Sequence, residues 1–227
     1  MDDPRNSPRH WPVFSMATRL TRQDIFGPSD DQIPVSEPED AHIPQVGFVG
    51  SAYQTGGDIL LGINPGGGGD HQVRTPQDAD LLPRIAALRG QPSSSDPLRD
   101  MFDLYAANMR TWNLWRIVEP VLGACARCQD DIAYLNWCPF RTRQDKMPGA
   151  QAMSRCTAIY LPPLIEALAP ARVIALGKKA GGWLEKLSWP GVETFVIPRT
   201  IGDSYLSDEA RIALERLKKS TSERIFP

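Results

Sequence analysis

Four short apolar runs recur along the chain, each stopped by turn-forming residues. Residues 58–63 (Asp-Ile-Leu-Leu-Gly-Ile) lead directly into Asn64-Pro65 and four glycines, and Ile132–Asn136 is followed by Cys138-Pro139. Arg172–Leu176 stops at Gly177, and Glu193–Ile197 stops at Pro198. Apolar runs of this length bounded by Gly and Pro read as buried strands. Between them the spacing turns helical. Asp96-Pro97 is a cap and first-turn pair opening a long helix over 96–118, 153–168 is apolar at helical spacing around Pro162-Pro163, and 178–187 and 207–218 follow the last two strands. Strands alternating with helices predict parallel pairing: an α/β fold, a three-layer α/β/α sandwich around a short, mainly parallel four-stranded sheet. Residues 1–45, rich in Pro, Asp, Ser and Glu, read as an extended acidic arm with one short helix over 18–25, and 46–227 as the folded domain.

Composition narrows the class. The 227 residues are 41% hydrophobic and 23% charged, enough for a self-sufficient core. No run reaches about 18 apolar residues, so no membrane span is expected. The start, Met1-Asp2-Asp3-Pro4, has neither a basic n-region nor an apolar h-region, and a secretory signal is not expected. Four cysteines are too few for a disulfide scaffold, which points to a reducing, cytoplasmic setting. The formal net charge of −2 argues against a nucleic-acid partner only until it is resolved by segment. Residues 1–50 hold four basic against eight acidic side chains, whereas 136–199 hold nine against four. An acidic arm thus masks a basic body.

In parallel α/β sheets ligands bind outside the carboxyl ends of the strands. Those ends carry Gly62-Ile-Asn-Pro-Gly-Gly-Gly-Gly-Asp-His71, Asn136-Trp-Cys-Pro-Phe-Arg-Thr142, Gly177-Lys-Lys179 and Pro198-Arg-Thr-Ile-Gly-Asp203. The glycine run lacks a following Gly-Lys-Ser/Thr and does not fit G-x-G-x-x-G, so a nucleoside-triphosphate loop is not expected; a plain glycine turn is the bland reading. Pro65 disfavours the α region at Asn64, so the chain turns there, and such a turn can aim the Asn amide into the crevice. An amide is no strong base, but its carbonyl oxygen can orient a water. That suits a reaction whose transition state is already positive and needs only a placed nucleophile. Asp70 would orient that water or cap the next segment. His71 would be a general base, a phosphate contact or a solvated loop histidine.

These residues resemble a known family. Gly62-Ile-Asn-Pro-Gly66 is similar to the first motif of the mismatch-specific uracil/thymine DNA glycosylases, within the uracil-DNA glycosylase superfamily. Asp70 falls where the iron–sulphur branch ends its own first motif, and the stretch 131–177, with Asn136, Cys138-Pro-Phe-Arg141 and Val173-Ile-Ala-Leu-Gly177, resembles the superfamily's middle. The likeness spans about residues 45–220. It implies monofunctional hydrolysis of the N-glycosidic bond of uracil, or of other deaminated or mismatched bases, flipped out of DNA. Asn64 would place the attacking water, with Gly62, Ile63, Pro65 and Gly66 lining the pocket. Asn136 would read the base edge, and Arg141, Arg143, Lys178, Lys179 and Arg199 would hold phosphates. The implied partner is damaged DNA, with no membrane and no obligate protein partner.

The chain departs from that family at two points. The second motif, typically His-Pro-Ser, reads Ile197-Pro198-Arg199, and the aromatic that stacks on uracil is missing near Pro76, with Phe140 or Trp137 the available substitutes. These losses keep open a non-catalytic nucleic-acid-binding module, and more distantly a small-molecule nucleotide enzyme. Cys125-x-x-Cys128 with Cys138 and Cys156 invites an iron–sulphur reading. The expected strand over 132–136 separates the first pair from Cys138 by roughly 20 Å at about 3.3 Å per residue, so no metal or cofactor is expected.

Overall fold

Five strands form one mixed sheet: β1 (Phe48–Val49), β2 (Asp58–Gly62), β3 (Ile132–Asn136), β4 (Arg172–Leu176) and β5 (Glu193–Ile197). Their order is β1-β3-β2-β4-β5. The four long strands pair in parallel, with Asp58 opposite both Ile132 and Arg172, and Gly62 opposite Asn136. The α/β class is therefore as expected, and all four anticipated strands are present. The sheet has one strand more. β1 pairs antiparallel to β3 at the edge, and its two residues are too short to carry an alternation. The computed structural model describes residues 10–28, 43–66, 78–90, 96–199 and 206–225.

The helices are α1 (His10–Thr18), α2 (Arg22–Phe26), α3 (Asp78–Gly90), α4 (Asp96–Met109), α5 (Trp115–Cys125), α6 (Ala150–Arg155), α7 (Leu161–Leu168), α8 (Lys178–Leu184) and α9 (Asp208–Ile225). The long helix expected over 96–118 is divided. It stops at Met109, where the Thr111 N–H and hydroxyl both donate to the Asn108 carbonyl, at 2.9 and 2.7 Å. Over 153–168 the helix survives Pro162-Pro163 by widening: Cys156–Tyr160 is a π-turn in which the Leu161 N–H reaches the Cys156 carbonyl. The prolines then occupy the first turn of α7, where their missing N–H groups cost nothing. The helix α3 had no strong signal and was not anticipated.

The N-terminal stretch corrects the expectation of an extended arm. Residues 10–28 fold as α1 and α2, not as one helix over 18–25, because Thr21 starts α2 afresh. Its hydroxyl accepts from the Asp24 N–H at 3.3 Å while the Asp24 carboxylate accepts from the Thr21 N–H at 2.7 Å, a capping box. Phe14 is fully buried edge-on to Phe102, with ring centres 4.9 Å apart, and Phe26 packs edge-on to Phe140 at 6.1 Å. These aromatic contacts make α1 and α2 part of the core.

At the amino end of the sheet Asp58 and Arg172 form a buried, two-pronged ion pair, with Nε and Nη2 at 2.6 and 2.7 Å from the carboxylate oxygens. Arg172 Nη1 also donates to Thr221 on α9 at 2.6 Å, tying the last helix to the centre of the sheet. Among the described residues no helix is long and apolar enough to cross a membrane.

Candidate functional site at the carboxyl end of the sheet

The strand order decides where the site lies. From β2 the chain crosses to β3 on one side, then returns past β2 to β4 on the other. In a sheet of this order the rule for parallel α/β folds puts the ligand position beyond the carboxyl ends of β2 and β4. Asn64 stands there, two residues past β2 and half-buried. Its Nδ2 donates to the Pro65 carbonyl at 3.3 Å and to Thr142 Oγ1 at 3.1 Å. Thr142, fully buried, donates its own hydroxyl proton to the Lys146 carbonyl. Among the described residues no donor reaches Asn64 Oδ1. The amide is thus held by its nitrogen with its carbonyl oxygen unengaged.

The segment after β3 holds this loop from a second side. Arg141 Nε donates to the Gly66 carbonyl at 2.7 Å, and Arg141 is only 7% exposed. Arg141 was expected to hold a phosphate; its Nε is engaged within the fold, on the loop that carries Asn64. Pro65 is buried beneath the same turn, with Ile63 half-buried beside it.

Asn136 lies in β3 with no exposed surface. Its Oδ1 accepts from Tyr134 Oη at 3.0 Å, and its Nδ2 donates to Tyr105 Oη at 3.2 Å and to the Gln45 carbonyl at 3.3 Å. Both amide donors and one acceptor position are taken. This differs from the expected base-reading role, in which the amide faces the crevice. Gly62, opposite in the sheet, allows the arrangement: a Cβ there would lie 2.6 Å from Tyr134 Oη and 3.0 Å from Asn136 Oδ1. Burial raises the Tyr134 phenol above its ordinary value, while the Arg199 cation acts against the rise. Arg199 itself lies across Gly177, where a Cβ would meet its Cδ at 3.3 Å. Residues from β2, β3, β4 and β5 therefore converge on one mouth.

The remaining cations are unlike one another. Arg143 is half-buried and its Nε, shielded from solvent, has no hydrogen-bond partner among the described residues. Lys178 pairs with Glu209 at 2.6 Å, with both side chains largely exposed, a geometry of small energetic weight. Lys179 is exposed. Arg172, counted with the basic stretch in the sequence, is consumed by Asp58 at the opposite end of the sheet. No protein-family model matches the chain, and no curated protein does.

Neither aromatic substitute for base stacking presents a face. Phe140 is fully buried against Phe26, and Trp137 is fully buried with its indole N–H on Thr157 Oγ1 at 3.2 Å. Asp70 and His71 lie outside the described residues. The cysteines sit at two ends of the sheet. Burial, then the Asp58 carboxylate, pushes the Cys125 thiol up to about 12, while burial and contact with Cys138 raise that of Cys156. Cys128 is exposed. With β3 between the pairs, the four do not meet, and among the described residues no group of three or more metal-ligating side chains is assembled.

Sequence reasoning missed Thr142, Tyr134, Tyr105 and Gln45. A signal existed for two of them: Tyr134 shares a strand face with Asn136 by its spacing of two, and Thr142 directly follows Arg141. Nothing local marked Tyr105 or Gln45, which arrive from α4 and the segment before β1.

Proposed function

We propose that the protein is a monofunctional DNA glycosylase of the uracil-excising type, acting on a base flipped out of DNA, on an α/β/α layered domain. The layering is supported by α5 packing on α9, α9 on β5, and α8 on β4 and β5. The observation that carries the reading is Asn64: an amide anchored through its nitrogen, with no donor among the described residues on its carbonyl oxygen, at the switch point of the sheet. Such an oxygen accepts a hydrogen bond from water and aims the water's lone pair at the sugar. As the C1′–N1 bond breaks, its electron pair leaves on the base and positive charge develops on the sugar. The water oxygen bonds to C1′, and the released proton neutralises the departing base anion. Placing the nucleophile is the main demand on the protein, and an amide that cannot take the proton is sufficient for it. No cofactor enters this scheme. Arg143, Lys179 and Arg199 are the cations we assign to the phosphates of DNA, Lys178 being shared with Glu209.

A second reading, a non-catalytic nucleic-acid-binding module, is favoured by the engaged Asn136 amide and the buried Phe140 ring. A labelled oligonucleotide with one uracil separates the two. Glycosylase action produces alkali-labile strands, and Asn64→Ala lowers the rate about 10²-fold or more with binding retained. Binding without alkali-labile product leaves only the second reading. Absence of binding at low salt removes both.

A further inference from the structure

We infer that Thr142 is a positioning residue that sets which way the Asn64 amide faces; the inference rests on the proposed role of Asn64 and deepens it. An asparagine amide can rotate by a half-turn, exchanging oxygen for nitrogen at little cost unless its partners distinguish donor from acceptor. Here they do. The Thr142 hydroxyl has a single proton, and it is donated to the Lys146 carbonyl. Only lone pairs remain on Oγ1 toward Asn64, so a donor must face it, and Nδ2 lies there at 3.1 Å. The second partner, the Pro65 carbonyl at 3.3 Å, is acceptor-only and makes the same demand.

The reverse orientation would set the Asn64 carbonyl against two acceptors. The relay from the Lys146 carbonyl through Thr142 to Asn64 therefore turns Oδ1 away from these two acceptors and keeps it as the acceptor offered to water. The preceding residue acts on the same turn, since Arg141 Nε holds the Gly66 carbonyl at 2.7 Å. Residues 141 and 142 together fix both the amide and the loop that bears it. Thr142 has no exposed surface, so its contribution runs through Asn64 and not through substrate.

The test has two readouts on the full chain. The first needs no substrate: hydrogen exchange of the Asn64 side-chain amide followed by NMR, its signals assigned by their loss in Asn64→Asp. Thr142→Val, which removes the acceptor, speeds that exchange roughly tenfold, the weight of one hydrogen bond, and Thr142→Ser, which keeps it, does not. Thr142→Ala serves in place of Val if the branched variant fails to fold. The second readout is excision from the uracil oligonucleotide: Thr142→Val lowers kcat roughly tenfold with little change in KM, and Thr142→Ser restores it. Unchanged exchange in both Thr142→Val and Thr142→Ala overturns the inference. So does unchanged kcat in those variants when Asn64→Ala is inactive. If the wild-type protein cleaves nothing, the glycosylase reading fails on its own, and the exchange experiment still decides whether Thr142 orients Asn64.

Discussion

Removing Arg172 alone should damage the fold more than removing Arg172 and Asp58 together. Asp58 is 1% exposed and Arg172 3%, and the two make a bidentate pair at 2.6 and 2.7 Å. In Arg172→Met the Asp58 carboxylate stays buried with Arg127 as its nearest cation, 3.6 Å away and 42% exposed. An uncompensated buried charge of this kind costs about 3–5 kcal/mol. For a chain of this size that lowers Tm by roughly 6–20 °C. The Thr221 hydroxyl, left without Arg172 Nη1, still donates to the Leu217 carbonyl at 2.9 Å, so its loss adds little. In Asp58→Leu with Arg172→Met no charge is stranded, and replacing a buried pair by apolar residues is often close to neutral. The assay is thermal and urea unfolding of wild type, both single variants and the double variant, read as a double-mutant cycle. A single-variant loss below about 1 kcal/mol, or a double variant no better than the worse single one, would refute the reasoning. The folded fraction of each should bind DNA as wild type does, since the pair lies at the end of the sheet away from Asn64.

Four further outcomes follow from other parts of the structure. Gly62→Ala introduces a Cβ 2.6 Å from Tyr134 Oη and should cost about 1–3 kcal/mol, read by thermal unfolding and by altered near-UV circular dichroism from the tyrosines. The Cys125 thiol, raised by burial from 9.0 to about 12, keeps its proton where the unfolded thiol loses it. Its stabilising contribution is therefore complete below pH 9 and declines toward pH 12 by at most about 1.4 kcal/mol per pH unit, a slope that Cys125→Ala should flatten in alkaline urea titrations. Alkylation of the native protein should label exposed Cys128 well before buried Cys125, Cys138 and Cys156, and mass spectrometry of the peptides checks the order. Arg143→Gln should weaken oligonucleotide binding and reduce the salt slope of log K by about 1, with an unchanged slope removing Arg143 from the phosphate contacts.

The central strands were legible because each carries its own signal: a solid apolar run fully buried on both faces of the sheet, ended by Gly, Pro or Asn. Helix boundaries were less so. The break at Met109 depends on Thr111 turning back to Asn108, and the passage through Pro162-Pro163 depends on an added π-turn residue, neither of which a period of 3.6 encodes. The N-terminal segment misled for another reason. Its Pro and Asp content resembles a solvated tail, yet Phe14, Ile25 and Phe26 are few and all buried. Three well-placed apolar side chains outweigh an average over 45 residues. Charge counting failed in the same way. The excess of cations over 136–199 includes Arg172, paired with Asp58, and Lys178, paired with Glu209, so the sign of the stretch was readable but the charge offered to a ligand was smaller than the count.

The two asparagines show how far motif spacing reaches into chemistry. Both were expected at the carboxyl ends of neighbouring strands, and both are there, yet they meet opposite surroundings. Asn64 follows its strand by two residues on a proline-stiffened turn, so its side chain leaves the sheet and keeps an acceptor open. Asn136 is still within its strand, in register with Gly62, so the pleat directs it onto the face where Tyr134 and Tyr105 stand. A buried amide there must be satisfied, and hydroxyls from β3 and α4 with the Gln45 carbonyl do so. One acceptor position on Oδ1 remains. Two matched contacts to a base edge can reject an unmatched base strongly, because buried groups are left unpaired; a single acceptor offers about 1–3 kcal/mol of that penalty. Excision by this site would therefore discriminate among bases weakly for as long as the tyrosine network stays closed, and strong selectivity for uracil would require Tyr134 to release Asn136 on binding.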